Sequence, residues 1–151
     1  MKNVSVNKST PTVLYVEDHP VNAMLMAGLF GFRPHLHLVV ATSVADALLQ
    51  AKQLEPVLLL LDIHLPDGNG YDLLQRLRRL SSCAVAPAVA VTATDDFRLD
   101  GSGFTELWAK PLNLYKVLER LDALTGPDFL PSRLPTGAMH ARPVAIQVSA
   151  W

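Results

Sequence analysis

The sequence predicts a doubly wound α/β fold built on a mostly parallel sheet. Three observations predict it. Short apolar runs alternate five times with segments of helical pattern. The strongest run, "VLLLLD" at 57–62, shows no in/out alternation, as expected of a parallel strand covered on both faces. The chemically distinctive residues fall at the C-terminal ends of these runs, where open α/β sheets build their sites.

The elements follow in chain order. "TVLYV" (12–16) is rich in β-branched and aromatic residues and reads as a buried strand. Pro20 is placed like a first-turn helical proline, and the helix it opens ends near Gly31. "HLVVAT" (37–42) is the second strand. Ser43 with Asp46 three residues on resembles a capping box, opening a helix through about Gln53. The third strand is "VLLLLD". "YDLLQRLRRL" carries apolar residues 73, 74, 77 and 80 at helical spacing. "PAVAVT" (87–92) is the fourth strand, and "DDFRLD" (95–100) reads as a short helix. "FTELWA" (104–109) is the fifth strand. "NLYKVLERLDAL" closes the domain as a helix with Leu114, Val117, Leu118 and Leu121 on one face. Residues 1–11 read as a flexible N-terminus. Residues 125–151 hold four of the eleven prolines and read as a tail or extended arm.

Composition narrows the function classes. Half of the 151 residues are hydrophobic and 18% are charged, which suits a folded domain with one sizeable core. The formal net charge of −1 lacks the basic excess of a nucleic-acid binder. Arg76, Arg78 and Arg79 read as a solvated helix face. The single cysteine, Cys83, excludes an internal disulfide and points to a reducing compartment. No apolar run is long enough to cross a bilayer and no signal core is visible, so a cytoplasmic protein is expected.

The strand ends carry the chemistry. Strand one ends in Glu17-Asp18, strand three in Asp62, strand four in Thr92 and strand five in Lys110-Pro111. An acidic pair after a strand is by itself usually a turn or helix cap. The conjunction says more, because the fold sets these ends side by side. Three crowded carboxylates repel one another and call for a cation, and Mg²⁺ favours a few carboxylates plus waters and phosphate oxygens. Lys110 adds a fixed positive charge, and Thr92 a hydroxyl that can donate to an anionic oxygen. Together they describe a pocket for a phosphoryl group, with a carboxylate able to act as nucleophile.

The segments "VLYVEDHPVN", "LLLLDIHLPDGNGYDLL", "PAVAVTAT" and "LWAKPLN" resemble the response-regulator receiver domain of two-component signalling, over about residues 12–124. The resemblance implies a flavodoxin-like, five-stranded parallel sheet of order 2-1-3-4-5. It implies that Asp62 is the phosphoacceptor, served by the phosphohistidine of a histidine kinase or phosphotransfer protein. Asp18 would bind Mg²⁺ directly, Glu17 mainly through a metal-bound water, and Asp62 and the backbone carbonyl of His64 would complete the protein's share. Thr92 and Lys110 would hold phosphoryl oxygens, with the Lys110–Pro111 bond cis. Ala93 would leave room for the phosphoryl group. Pro66 and Gly70 match the loop after the acceptor, where Gly permits unusual backbone angles. His64 and Thr94 stand where the family tunes hydrolysis of the acyl phosphate.

Two departures shape the expectation. Leu107 occupies the place where the family usually has a switching Tyr or Phe, and Trp108 faces the other side of its strand. The segment from Thr92 to Lys110 is about one helical turn short, so the fourth helix should be stunted or irregular. The sequence therefore predicts a stand-alone receiver with a non-standard switch. It would act through an unknown downstream protein and could form a homodimer, with no nucleic-acid or membrane partner. Only self-phosphorylation and self-dephosphorylation are expected of it as chemistry. Two alternatives are a Mg²⁺-dependent phosphohydrolase with an Asp nucleophile, and a receiver-like scaffold not controlled by phosphorylation. The first generally needs a second Asp two residues after the nucleophile, where this chain has His64.

Overall fold

The computed structural model describes residues 10–93, 95 and 97–126. The expected flexible start and the Pro-rich tail lie outside these residues, apart from Thr10, Pro11, Thr125 and Gly126, and so does Thr94. The elements run β1 (Thr12–Val16), α1 (Pro20–Phe30), β2 (His37–Ala41), α2 (Val44–Ala51), β3 (Leu58–Leu61), β4 (His64–Leu65), β5 (Gly68–Asn69), α3 (Gly70–Arg78), a 3₁₀ turn (Ser81–Cys83), β6 (Ala88–Thr92), β7 (Glu106–Ala109) and α4 (Leu114–Thr125). Five strands form one parallel sheet in the order β2-β1-β3-β6-β7. With the small β4–β5 hairpin set aside, this is the predicted order 2-1-3-4-5.

The four leucines of β3 show why the strand has no polar face. Leu59 and Leu61 enter one core layer, with Val44, Ala47 and Ala51 of α2 and Leu73, Leu74 and Leu77 of α3. Leu58 and Leu60 enter the other, with Met26, Leu29 and Phe30 of α1 and Val117, Leu121 and Leu124 of α4. Side chains alternate along a strand, so helices on both faces make every position apolar. Leu107 packs against the first layer and Trp108 is buried in the second, so the two do face opposite sides.

Several expectations need correction. "DDFRLD" forms no helix among its described residues, 95 and 97–100. So short a segment gains too few hydrogen bonds to offset helix nucleation. Instead the chain turns at Ser102, whose N–H and Oγ both bond the Leu99 carbonyl (3.1 and 2.6 Å). Gly101 and Gly103, on either side of Ser102, sit at φ +71° and +84°, conformations that suit glycine. Phe97 stacks on Tyr71 (5.4 Å between centroids), and Phe104 meets both rings edge-on, which ties this connection to α3. The described residues between β6 and β7 thus hold no helix at all, beyond the predicted stunting.

On α4, Leu114, expected on the core face, is 47% exposed, and Leu124, which was not expected there, is buried with Val117 and Leu121. Arg78 is no solvated charge: its Nη1 donates to the carbonyls of Cys83 (2.9 Å) and Ala86 (2.5 Å), pinning the turn before β6. Met26 is buried as a core residue, but Met24 points to solvent with Val21 and Leu25, so α1 carries an apolar outer face. Ser43 does cap α2 by accepting from the Asp46 N–H (3.0 Å), but the Asp46 carboxylate takes the N–H of Thr42 rather than that of Ser43.

Candidate functional site

The parallel ladder continues one residue past three strand ends. The Glu17 N–H reaches Ala41 O (2.9 Å), the Asp62 N–H reaches Val16 O (3.0 Å), and the Lys110 N–H reaches Thr92 O (3.0 Å). Each backbone is therefore held by sheet hydrogen bonds at the point where its side chain leaves the core. That is what the apolar run before Asp62 accomplishes: it seats a carboxylate on a rigid edge.

The side chains of Glu17, Asp18, Asp62 and Lys110 come together at this edge. Lys110 Nζ donates to Glu17 Oε1 at 2.7 Å and to Asp62 Oδ2 at 2.8 Å. The His64 N–H donates to Asp62 Oδ1 at 3.0 Å. Asp18 is exposed at the rim, and one carboxylate oxygen from each of Glu17, Asp18 and Asp62 lies within 4.8 Å of the others. Thr92 ends β6 and is 1% exposed, Ala93 after it is exposed, and the Lys110–Pro111 bond is cis. The His64 residue is exposed beside Asp62. Leu107 stands apart from the acidic cluster, on the layer of α2 and α3.

Burial sets the electrostatics. Glu17 is fully buried and Asp62 is 6% exposed. Burial and the hydrogen bond it shares with Asp62 push the Glu17 carboxyl above the ordinary carboxylate value, against the pull of Lys110. Burial also pushes Asp62 up. The hydrogen bonds with Glu17, Lys110 and the His64 N–H outweigh it and hold this carboxyl below its ordinary value. Burial lowers Lys110, but the two carboxylates more than reverse that and raise it. Asp62 is thus held as a carboxylate beside a firmly protonated lysine.

Among the described residues, one buried side-chain polar atom lacks a hydrogen-bond partner: Glu17 Oε2. An orphaned carboxylate oxygen in a cluster of three carboxylates fits a hard divalent cation, which prefers oxygen donors. One member of the site has no motif signal. Tyr15 is fully buried, and its hydroxyl donates to Glu17 Oε1 at 3.4 Å. In the sequence it reads only as a core strand residue. Its position two before Glu17, on the same side of the strand, is the signal that could find it.

The reason for Gly70 also changes. Its backbone is not in the left-handed region, where among the described glycines only Gly101 and Gly103 lie. A Cβ here would instead stand 2.5 Å from the Asp62 carbonyl oxygen. The glycine is required for close approach of the acceptor's own backbone.

The response regulator receiver domain family matches residues 13–122. The chain belongs to this family. It is 31% identical over 110 residues to the signal transduction histidine-protein kinase BarA of Escherichia coli K12, covering 70% of this chain and 12% of BarA. It is 32% identical over 117 residues to the probable transcriptional regulatory protein TcrX of Mycobacterium tuberculosis, covering 75% of this chain and 49% of TcrX. The chain therefore spans under half of either relative. Among solved structures, the chemotaxis protein CheY4 of Vibrio cholerae shares the fold at TM-score 0.68 and 18% identity, over 77% of this chain and 99% of that one. The receiver domain of sensor histidine kinase PA1611 from Pseudomonas aeruginosa does so at TM-score 0.67 and 22% identity, over 77% and 98%, and was solved with magnesium in its active-site cleft. This chain is thus a receiver domain of two-component signalling. No helix among its described residues is long and apolar enough to cross a membrane.

Proposed function

We propose that this receiver takes a phosphoryl group onto Asp62 from a phosphohistidine on a histidine kinase or phosphotransfer protein. One observation carries the reading: a nearly buried carboxylate, held ionised, lies 2.8 Å from Lys110 Nζ inside a three-carboxylate cluster. An Asp62 carboxylate oxygen forms the new bond to phosphorus. The phosphorus–nitrogen bond of the donor breaks, and its electron pair stays with the imidazole.

Glu17, Asp18, Asp62 and the His64 carbonyl are the residues that would hold Mg²⁺. When bound, the ion neutralises charge on the transferring phosphoryl oxygens. Lys110 releases its hold on Asp62 Oδ2 to meet a phosphoryl oxygen, and Thr92 supplies a hydroxyl donor. The His64 N–H keeps the acceptor oriented. The apolar outer face of α1 (Val21 and Leu25 each 55% exposed, Met24 73%) borders a groove lined by Leu25, Pro111, Leu112 and Leu114. Such a face beside the site suits docking of a protein donor rather than a small ester. The module is read as cytoplasmic, acting through a downstream protein, with self-dephosphorylation as its other chemistry.

Incubation with Mg²⁺ and acetyl phosphate, read by intact mass, tests this. Wild type should gain one phosphoryl group. Asp62→Asn should gain none, and chelation of Mg²⁺ should abolish the gain in wild type. A wild type that takes up no phosphoryl group, or an Asp62→Asn chain that takes up as much, would overturn the reading.

His64 is read as tuning the lifetime of the acyl phosphate, together with Thr94, which lies outside the described residues. His64 is exposed two residues after Asp62, and its backbone N–H already bonds the acceptor. His64→Ala is expected to change the phosphoryl half-life by about 10²-fold, the lower end of what one positioned acid–base group supplies. An unchanged half-life would remove His64 from this role.

A further inference from the structure

The hairpin after the acceptor is bolted to three other parts of the fold. At its start, the His64 N–H bonds Asp62 Oδ1. Within it, His64 pairs with Asn69 and Leu65 with Gly68. At its end, the Asn69 side chain accepts from the Asp72 N–H at 2.9 Å and caps α3, while the Gly70 N–H returns to Ile63 O at 2.9 Å.

At its tip, Asp67 reaches across the chain to α2. Its Oδ1 accepts from the Val44 N–H (2.8 Å) and its Oδ2 from the Ala45 N–H (3.0 Å), more than twenty residues away in sequence. Of the four amides that a helix start leaves without partners within it, those of Val44, Ala45 and Asp46 are capped here by side chains. Ser43 serves the Asp46 N–H, so Asp67 completes the cap for the other two. The contact is close-fitting as well as polar. A Cβ on Gly68 would come within 3.1 Å of Val44 Cγ2, so the bare glycine lets the hairpin settle on α2.

We propose that Asp67 is a positioning residue that sets the His64 N–H on Asp62 and couples the state of Asp62 to helix α2. The inference rests on the phosphoacceptor reading above. Phosphorylation converts the Asp62 carboxylate into a neutral acyl group carrying the phosphate. The His64 N–H then loses a charged acceptor, and charge-assisted hydrogen bonds are about twice as strong as neutral ones. Relaxation at His64 moves a two-stranded hairpin whose tip grips α2 through two hydrogen bonds. The opposite side of the site has no aromatic at Leu107 and no helix among the described residues 93, 95 and 97–105. The hairpin is the hydrogen-bonded connection from the acceptor to a neighbouring helix, and α2 is the element that reports the signal.

Hydrogen exchange on the full chain tests this, with beryllofluoride and Mg²⁺ as the phosphoryl mimic and acetyl phosphate uptake measured in parallel. In wild type, activation should alter exchange in residues 44–51. In Asp67→Ala, the first amides of α2 should exchange about fivefold faster at rest, as loss of a cap implies. The activation response of α2 should vanish, while Asp62 still takes up phosphoryl but more slowly, because its His64 N–H is less well set. Asp67→Asn keeps an acceptor oxygen and should restore part of the response, which a purely structural effect on folding would not do. An α2 that ignores activation in a wild type able to phosphorylate Asp62 would overturn the coupling. So would an Asp67→Ala chain that responds like wild type. A wild type that takes up no phosphoryl group would instead overturn the phosphoacceptor reading, and this inference with it.

Discussion

Gly70→Ala is expected to destabilise the fold by about 3 kcal/mol and to blunt phosphoryl uptake at Asp62. The added Cβ would sit 2.5 Å from the Asp62 carbonyl oxygen, 3.0 Å from Ile63 Cδ1 and 3.1 Å from Ile63 Cα. Two of these neighbours are backbone, so no rotamer change relieves the clash. The Gly70 N–H is also bonded to Ile63 O at 2.9 Å, which keeps the two segments from parting freely. Relief must come from shifting either the start of α3 or the backbone of Asp62. The first loosens the Leu73, Leu74 and Leu77 packing, and the second misaims the carboxylate. Urea unfolding midpoints and acetyl phosphate uptake check the two effects. An unchanged midpoint would show that the approach is looser than described.

Arg120→Ala is expected to lower stability by about 3 kcal/mol. Glu106 lies on β7 with its side chain only 4% exposed. Arg120 of α4 binds it through Nε to both oxygens (2.9 and 3.2 Å) and through Nη2 to Oε1. The Trp108 Nε1–H adds a bond to Oε2 at 2.9 Å. Removing Arg120 leaves a buried carboxylate with the indole as its remaining bonded donor. The Arg120 side chain is 23% exposed, so water can reach part of the gap, which keeps the figure at the lower end for buried pairs. Thermal or urea unfolding of Arg120→Ala, beside the double variant Glu106→Leu/Arg120→Leu, measures it. The double variant should recover most of the loss, because it removes the stranded charge rather than exposing it. If the double variant falls as far as the single one, packing rather than charge sets the cost.

Much of the site is legible in the sequence because its logic is local. Glu17, Asp62 and Lys110 each follow an apolar run by one residue, and Thr92 ends one. A parallel sheet must bring those ends to one edge. The acidic pair, the lysine and the acceptor therefore needed only the strand pattern to be placed together. The cis Lys110–Pro111 bond followed from the family likeness rather than from any local rule.

Other features resist reading because their cause is distant. Asp67 looks like an ordinary turn residue in "LPDGNG", and nothing local says that its partners are Val44 and Ala45. Arg78 reads as one of three surface arginines, yet the turn at 81–86 bends its carbonyls toward it. The helix expected at 95–100 is lost partly to a distant cause as well. Its local pattern is helical enough, but Gly101, Gly103 and the Tyr71–Phe97–Phe104 rings take the chain elsewhere.

By itself, the sequence determined the layered α/β architecture, the strand-end chemistry and the absence of the usual aromatic at Leu107. Those depend on periodicity and on residue identity at strand ends, which act over a few positions. Only the tertiary structure decided that Glu17 Oε2 is left without a partner, that Gly70 is a matter of space rather than angle, and that the acceptor's hairpin is tied to α2. Those depend on which distant backbone groups meet at 3 Å, and hydrogen bonding and steric exclusion at that range are properties of the assembled sheet and its helices.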